Sequence, residues 1–238
     1  MATRYNYTGG IVTNGLVLNL DAAKVDSYPG TGTTWNDISG NNNSVTLTNG
    51  PTFSGIGKQA SIVFDGVDDT VNMGTSSIFQ PSSITFCMWV KRTATWGAGS
   101  CLFWAKPNGD YTGTGFYVEP VSPNFSNSTL IVCNSYPNYL RLDVDGNTTF
   151  TLNTPVYFCF TLSGGVGAMY VNGVSKTITT QGTPTISNTS DTKYIMSNSP
   201  SYATYTPGAV YSTQIYNRAL SAAEVSQNFN ALRGRYGI

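Results

Sequence analysis

The sequence predicts an all-β protein: two antiparallel sheets packed face to face, closed by one short helix near the C-terminal end. Three observations carry this. Apolar residues recur at every second position in one segment after another, the period of a strand with one buried face. Turn residues separate these segments at roughly the strand-and-turn spacing of β-sandwiches, and no helical periodicity precedes residue 221. A sheet this long buries its apolar face only against a second sheet, which makes the architecture a sandwich. At 238 residues such a sandwich is accommodated as a single domain.

The elements follow in order. Residues 1–14 are polar, carry Gly9 and Gly10, and read as an arm laid over the body or reaching toward a neighbour; residues 15–238 form the domain. Leu16, Leu18 and Leu20 put one apolar face on the first strand. Residues 27–40, with Pro29, Gly30 and Gly32, read as a long loop pinned by Trp35, and residues 45–47 and 61–65 as short strands. The centre is a meander of β runs at 84–91, 101–104, 115–118, 130–133 and 139–142. Asp145-Gly146 and Asn172-Gly173 are the strongest two-residue hairpin signals, because both tolerate positive φ. Phe150, Leu152, Val156, Phe158, Phe160 and Leu162 keep period two, and Val210, Tyr211, Thr213, Ile215 and Tyr216 form a last strand. Ser221 and Glu224 then make a capping box, Val225, Phe229 and Leu232 form one apolar stripe, and Gly234 stops a helix over 221–233.

Composition narrows function. Net charge is zero and only 10% of residues are charged, which excludes the electrostatic footprint of a nucleic-acid or anionic-membrane partner. No window is apolar enough for a membrane helix, and the first residues lack the features of a signal peptide, so synthesis in a cytoplasm without membrane insertion is expected. Cys87, Cys101, Cys133 and Cys159 show no C-x-x-C spacing; they read as reduced packing residues, with Cys87 and Cys159 able to meet across neighbouring strands. Histidine is absent, so no mechanism with an imidazole base, shuttle or ligand is available. The basic pair Arg233 and Arg235 reads as solvating the helix end or favouring its dipole.

Six segments in this order resemble the laminin G-like jelly rolls of the concanavalin A-like lectin and glucanase superfamily. They are Gly15-Leu-Val-Leu-Asn-Leu-Asp-Ala22, Trp35-Asn-Asp-Ile-Ser-Gly-Asn-Asn42, Phe64-Asp-Gly-Val-Asp-Asp-Thr-Val71, Ile84-Thr-Phe-Cys-Met-Trp-Val90, Met169-Tyr-Val-Asn-Gly-Val174 and Ile215-Tyr-Asn-Arg-Ala-Leu-Ser221. The resemblance implies a concanavalin A-like jelly roll. The opening Ile11-Val-Thr-Asn-Gly-Leu16 with Ser27-Tyr-Pro-Gly30, and the closing Gln227–Gly237, are similar to the ends of such domains in structural proteins of tailed phages. Many relatives carry an Asp pair where this chain has Tyr211 and Ser212, which weakens any calcium site, and the family's usual Trp-His-His strand reads Val156-Tyr-Phe-Cys159.

Catalysis is not expected. The superfamily's glucanases present an E-x-D-x-E strand, whereas this chain has only Glu119 and Glu224, and the latter belongs to the helix cap. Asp65, Asp68 and Asp69 are the calcium candidates, with Asp21, Asp37 and Asp191 as helpers; a turn in which these side chains accept backbone amides is the favoured reading, and no cofactor is otherwise expected. For a glycan the candidates are Trp96, Trp104, Tyr111, Asn134, Tyr136, Asn138 and Tyr139, aromatic faces beside amides, with Trp96 the one expected to face outward from its Gly-flanked loop. Tyr5, Tyr7, Tyr194, Tyr202 and Tyr205 are candidate assembly contacts. Together with the phage likeness, these readings make the leading expectation a non-enzymatic virion-surface protein, a capsid decoration or tail-associated subunit. It would dock on the major capsid protein or other coat subunits, as a monomer or homo-oligomer. The alternative is a lectin-like module binding surface glycan, with or without calcium.

Overall fold

The structure, a computed structural model, describes residues 10–97, 99–106, 116–122, 128–133, 138–186, 188–198 and 203–238. The strands in chain order are Leu16–Asp21 (β1), Thr34–Trp35 (β2), Val45–Thr48 (β3), Thr52–Ser54 (β4), Ser61–Phe64 (β5), Thr70–Asn72 (β6), Ile84–Arg92 (β7), Phe103–Ala105 (β8) and Phe116–Ser122 (β9). Ser128–Cys133 (β10), Tyr139–Asp145 (β11), Pro155–Ser163 (β12), Val166–Val171 (β13), Val174–Lys176 (β14), Thr179–Gln181 (β15), Tyr194–Ile195 (β16) and Gly208–Tyr216 (β17) follow, with helices Gly146–Thr149 (α1) and Ala222–Arg233 (α2).

Among the described residues these strands build two antiparallel sheets, as expected. One has eight strands, ordered β14-β13-β12-β7-β17-β5-β4 with β1 beside β17; the other has nine, ordered β15-β11-β10-β9-β8-β16-β6-β3-β2. β17 is the spine of the first. Its start, Gly208–Val210, pairs with β5, its remainder from Ser212 to Tyr216 pairs with β1, and β7 runs along its other side with a bulge at Tyr211. All nine of its residues are buried, because the second sheet covers one face and α2 the other.

Period two decides the core. Leu18, Phe86, Met88, Phe158, Phe160 and Ile215 of the eight-stranded sheet meet Leu47, Val71, Phe103, Val118, Leu140 and Ile195 of the nine-stranded one. Phe86 and Phe103 touch across the gap with ring centroids 5.2 Å apart. Each such side chain contributes about 1.5–3 kcal/mol by leaving water, so a one-residue slip in register would forfeit a whole face.

The alternate residues of the eight-stranded sheet, Cys87, Trp89, Tyr157, Cys159 and Tyr216, receive Val225, Phe229 and Leu232 of α2. Trp89 stacks on Phe229 at 5.6 Å. Cys87 stands directly opposite Cys159 in register, and Cys87, Cys101 and Cys159 are buried free thiols. The capping box forms: the Ser221 hydroxyl accepts from the Glu224 amide and Glu224 Oε2 accepts from the Ser221 amide at 2.9 Å. Of residues 1–14, those from 10 onward lie on this layer; the Val12 amide donates to Asn228 Oδ1 at 2.8 Å and the Tyr216 hydroxyl donates to the Val12 carbonyl at 3.0 Å.

Two expectations are corrected. Asp145-Gly146 does not make a hairpin: β11 and β12 lie in different sheets, and the one-turn α1 carries the chain across while the buried Phe150 anchors the crossing. Asn172-Gly173, whose strands are neighbours, does form the turn, with φ of 51° and 74°. Trp35, read as pinning the 27–40 loop, sits in β2 with its ring fully buried between the sheets. Arg235 is no mere solvating charge, since it forms a 2.8 Å ion pair with the buried Asp21.

Candidate functional site

On the nine-stranded sheet, residues alternating with the core-facing set point away from the core. Register aligns Asn72, Tyr194, Trp104, Tyr117, Val132, Tyr139 and Gln181 on successive strands, one row running across most of the sheet. Trp104 and Tyr117 stack with centroids 5.2 Å apart and planes at 22°, within the offset range that favours aromatic pairs. The Trp104 indole N–H donates to the Lys106 carbonyl at 2.9 Å, and the Tyr139 hydroxyl donates to Gln181 Oε1 at 2.6 Å, so each polar handle is fixed. The Lys106 ammonium lies 5.9 Å from the Tyr117 ring centre, and the Arg141 guanidinium 5.9 Å from that of Tyr139. The rings retain little exposure, 1% for Trp104 and 7% for Tyr117, and are buried rather than projecting as a platform.

Two residues along β9 from Tyr117, on the same face, stands Glu119. Its Oε1 accepts the Gly99 amide at 3.1 Å. Burial pushes the neighbouring Cys101 thiol well above its ordinary value, and the negative charge of Glu119 adds to the effect. Gly99, Ser100, Cys101, Trp104, Tyr117, Glu119 and Asn198 together enclose a shallow depression. Asn198 is held rigidly: its Oδ1 accepts the Thr204 backbone amide at 2.9 Å and its backbone N–H donates to the Thr204 carbonyl at 3.1 Å. That bond fixes which end of the side chain is which, and Nδ2 is left buried with no partner. An unsatisfied buried donor costs about 1–3 kcal/mol.

The structure gathers some of the expected glycan residues and disperses others. Trp104 and Tyr139 stand in the row, and Asn138, beside Tyr139, is tied by its Oδ1 to the Thr183 amide. Trp96 is corrected: instead of facing outward it is 1% exposed, its indole N–H donating to the Pro207 carbonyl at 2.7 Å and its ring against Phe150. The glycine-flanked loop folds the indole into the inter-sheet core, where its apolar area is better spent. Tyr111, Asn134 and Tyr136 lie outside the described residues, as do Tyr5, Tyr7 and Tyr202. Tyr194 belongs to the row rather than to a projecting loop, and the half-buried Tyr205 bridges to Ser197 next to Asn198. Sequence reasoning passed over Tyr117 and Asn198 and weighed Glu119 only as a catalyst. The alternation of Tyr117 and Glu119 with core-facing Val118 was the available signal for two of them; Asn198 had none.

The acidic cluster behaves as a turn. Its carboxylate oxygens lie within 4.8 Å of one another. Asp65 Oδ1 accepts the Val67 and Asp68 amides at 2.7 and 3.4 Å, and Asp69 Oδ2 accepts the Asp65 amide at 3.0 Å. Burial, and then its acidic neighbours, hold the Asp69 carboxyl above its ordinary value. The would-be helpers are engaged elsewhere: Asp21 with Arg235, Asp37 with the amides of Asn19, Ser39 and Asn43, and Asp191 with the Thr189 hydroxyl. The two glutamates are on opposite layers, Glu119 beyond the nine-stranded sheet and Glu224 in the helix that covers the other sheet, where it pairs with Arg218 at 2.6 Å.

The laminin G-like profile of the concanavalin A-like lectin/glucanases superfamily matches residues 65–226, well over half the chain. Among solved structures, domain 4 of AbnA, a GH43 extracellular arabinanase from Geobacillus stearothermophilus, in complex with arabinotriose, is similar at 16% identity and a TM-score of 0.66, over 90% of this chain and 97% of that one. The binding domain of Paraclostridial Mosquitocidal Protein 1 is similar at 15% identity and a TM-score of 0.66, over 92% of this chain and 52% of that one. The Trypanosoma rangeli sialidase in complex with the inhibitor DANA is similar at 17% identity and a TM-score of 0.62, over 93% of this chain but only 34% of the sialidase. Identities this low speak to the fold alone. Comparison with curated proteins finds no sequence match.

Proposed function

This chain belongs to the concanavalin A-like lectin/glucanases superfamily, and from that premise we propose that it is a non-catalytic binding module whose ligand is a glycan held at the depression on the nine-stranded sheet. One observation carries the reading: a stacked aromatic pair, Trp104 on Tyr117, lies beside a carboxylate and an amide whose donor has no partner, at the edge of a shallow depression. Sugars present apolar C–H faces and a rim of hydroxyls, and recognition needs this pairing of ring faces with placed donors and acceptors. The arabinotriose complex of AbnA domain 4 and the binding domain of the mosquitocidal protein, both of this fold, favour the same reading. Absence of histidine from the sequence and the presence of one carboxylate in the depression favour binding without turnover, since glycoside hydrolysis uses two facing carboxyls. A glycan array that includes arabinotriose tests this: binding without release of reducing ends is expected, and either no binding to any glycan or cleavage of one overturns it.

A second reading concerns setting: a decoration or tail-associated subunit on the virion surface of a tailed phage, docked on major capsid or other coat proteins. The observation that favours it is that the two phage-like stretches meet. Asn228 Oδ1 accepts the Val12 amide, and next to it Gln227 Nε2 donates to the carbonyl of Gly10, just before the opening stretch, at 2.9 Å, so the two ends are held together. Mass spectrometry of intact particles decides it; absence of the chain in stoichiometric amount removes the reading.

A further inference from the structure

We infer that Asn49-Gly50 is a modification site: in the folded chain it deamidates ahead of the other described Asn-Gly pairs, and the acidic product loosens the crossing between the two sheets. The inference goes beyond the glycan reading and is independent of it. Asparagine before glycine is chemically labile, because no side chain shields the following amide. The glycine nitrogen attacks the asparagine Cγ, the Cγ–Nδ2 bond breaks, and the amide proton leaves with the nitrogen as ammonia. Water then opens the cyclic imide at either carbonyl, giving aspartate or isoaspartate. No oxidant, metal or second protein takes part.

The sequence has four such pairs, at 14–15, 49–50, 108–109 and 172–173, of which Asn108-Gly109 lies outside the described residues. Ring closure turns the backbone about the asparagine Cα–C bond, so the reaction is controlled by how firmly the flanking groups are held. At Asn14-Gly15 the Asn14 carbonyl accepts Arg218 Nε at 3.0 Å, the Gly15 carbonyl accepts the Asn217 amide at 2.8 Å, and a Cβ on Gly15 would stand 2.9 Å from Asn217 Oδ1. At Asn172-Gly173 the reacting side chain is itself engaged, its Oδ1 accepting the Tyr157 amide at 2.9 Å. The Asn172 amide donates to the Tyr157 carbonyl at 2.8 Å, and Gly173 is pressed against Phe229. Asn49 and Gly50 are both exposed, and the space a Cβ on Gly50 would enter is open. The Asn49 side chain is held by one exposed hydrogen bond, from Nδ2 to the Asp68 carbonyl at 2.9 Å. Each further bond that has to open before the ring can close slows a pair by up to about tenfold.

Position makes the product matter. Thr48 ends β3 in the nine-stranded sheet and Thr52 begins β4 in the eight-stranded one, so Asn49 and Gly50 carry the chain between the layers. The bond to Asp68 ties this crossing to the turn of Asp65, Asp68 and Asp69, whose carboxylate oxygens lie within 4.8 Å of one another. An aspartate at 49 lacks the donor, turns an acceptor toward the Asp68 carbonyl and adds a fourth carboxylate beside the three. Isoaspartate also lengthens the backbone by a methylene at a residue whose φ is 69°.

The test holds the whole chain in warm, mildly alkaline buffer, with and without urea, and follows each pair by peptide mapping and by enzymatic methylation of isoaspartate. In the folded chain Asn49 should convert at least about tenfold faster than Asn14 and Asn172, and urea should close the gap. Asn49→Gln should abolish the early product. Conversion of Asn14 or Asn172 as fast as that of Asn49 in the folded chain overturns the inference, as does an Asn49 still intact when the unfolded chain has half reacted. Asn49→Asp, which reproduces one product, should melt about 2–4 °C below the parent; an unchanged melt overturns the claim that the product loosens the crossing.

Discussion

Replacing Glu224 by Gln should cost about 1–1.5 kcal/mol of folding stability at neutral pH and almost nothing in strong acid. The carboxylate accepts two bonds from Arg218, at 2.6 and 3.0 Å, and one from the Ser221 amide at 2.9 Å. The Arg218 hydrogen bonds are the main reason its pKa is held down at about 2, against an ordinary 4.5. Because the folded value lies below the unfolded one, the ionised carboxylate stabilises the fold fully above about pH 4.5, and that stabilisation is lost as pH falls toward 2. Taken whole, the shift corresponds to about 3 kcal/mol at 1.36 kcal/mol per unit. The side chains are 28% and 29% exposed, so solvent screening reduces the figure to about half or less. Glutamine still satisfies the Ser221 amide at this helix position, so the substitution removes charge and keeps the cap. Urea denaturation of both proteins at pH 7 and at about pH 2.5 measures the effect, with 1 M salt as a third arm that should shrink the difference. An identical difference at both pH values, or none at pH 7, would refute the argument.

Three other outcomes follow from the packing. Gly173→Ala should destabilise by about 1–3 kcal/mol in the same assay, because φ is +74° and the new Cβ would stand 2.8 Å from Phe229 Cδ1, displacing the ring that stacks on Trp89. A thiol reagent near pH 8 should modify at most one cysteine of the folded chain, Cys133, and all four in denaturant, since Cys87, Cys101 and Cys159 are buried and the Cys101 and Cys159 thiols are pushed well above their ordinary value by burial; modification of two or more in the fold contradicts this. Millimolar calcium should shift the melting temperature by less than about 1 °C, because Asp65 and Asp69 already serve backbone amides and no helper carboxylate reaches them; a rise of several degrees would show that the turn is a metal site.

The fold was legible because each layer writes a period. Core-facing Phe158 and Phe160 alternate with Tyr157 and Cys159 on β12, and the helix that covers the alternate set announces itself through Ser221 and Glu224. What alternation cannot convey is which sheet a strand joins. Asp145-Gly146 has the composition of a tight turn, yet its flanking strands belong to different sheets, and the outcome depends on long-range pairing that no local residue records. The site divides in the same way. Trp104, Tyr117 and Tyr139 could be placed on one face from their neighbours Phe103, Val118 and Leu140, but that they fall in a single row depends on the stagger of four consecutive strands.

Trp96 and Asn198 show the limit from both sides. A tryptophan between Gly97, Gly99 and threonines looks solvent-facing, but glycine gives the backbone freedom to turn either way, and burying an indole on Phe150 outweighs presenting it to water. Asn198 sits in a Ser- and Asn-rich stretch with every mark of an idle loop. What sets it apart is Thr204, which takes the side-chain oxygen and so leaves the amide nitrogen without a partner, a relation visible only once the chain has closed on itself. Aromatic area in a strand can be forecast from sequence because burial is averaged over many contacts. An unpaired donor cannot, because it is the difference between two individual hydrogen bonds, and recognition of a polar ligand is decided by such differences.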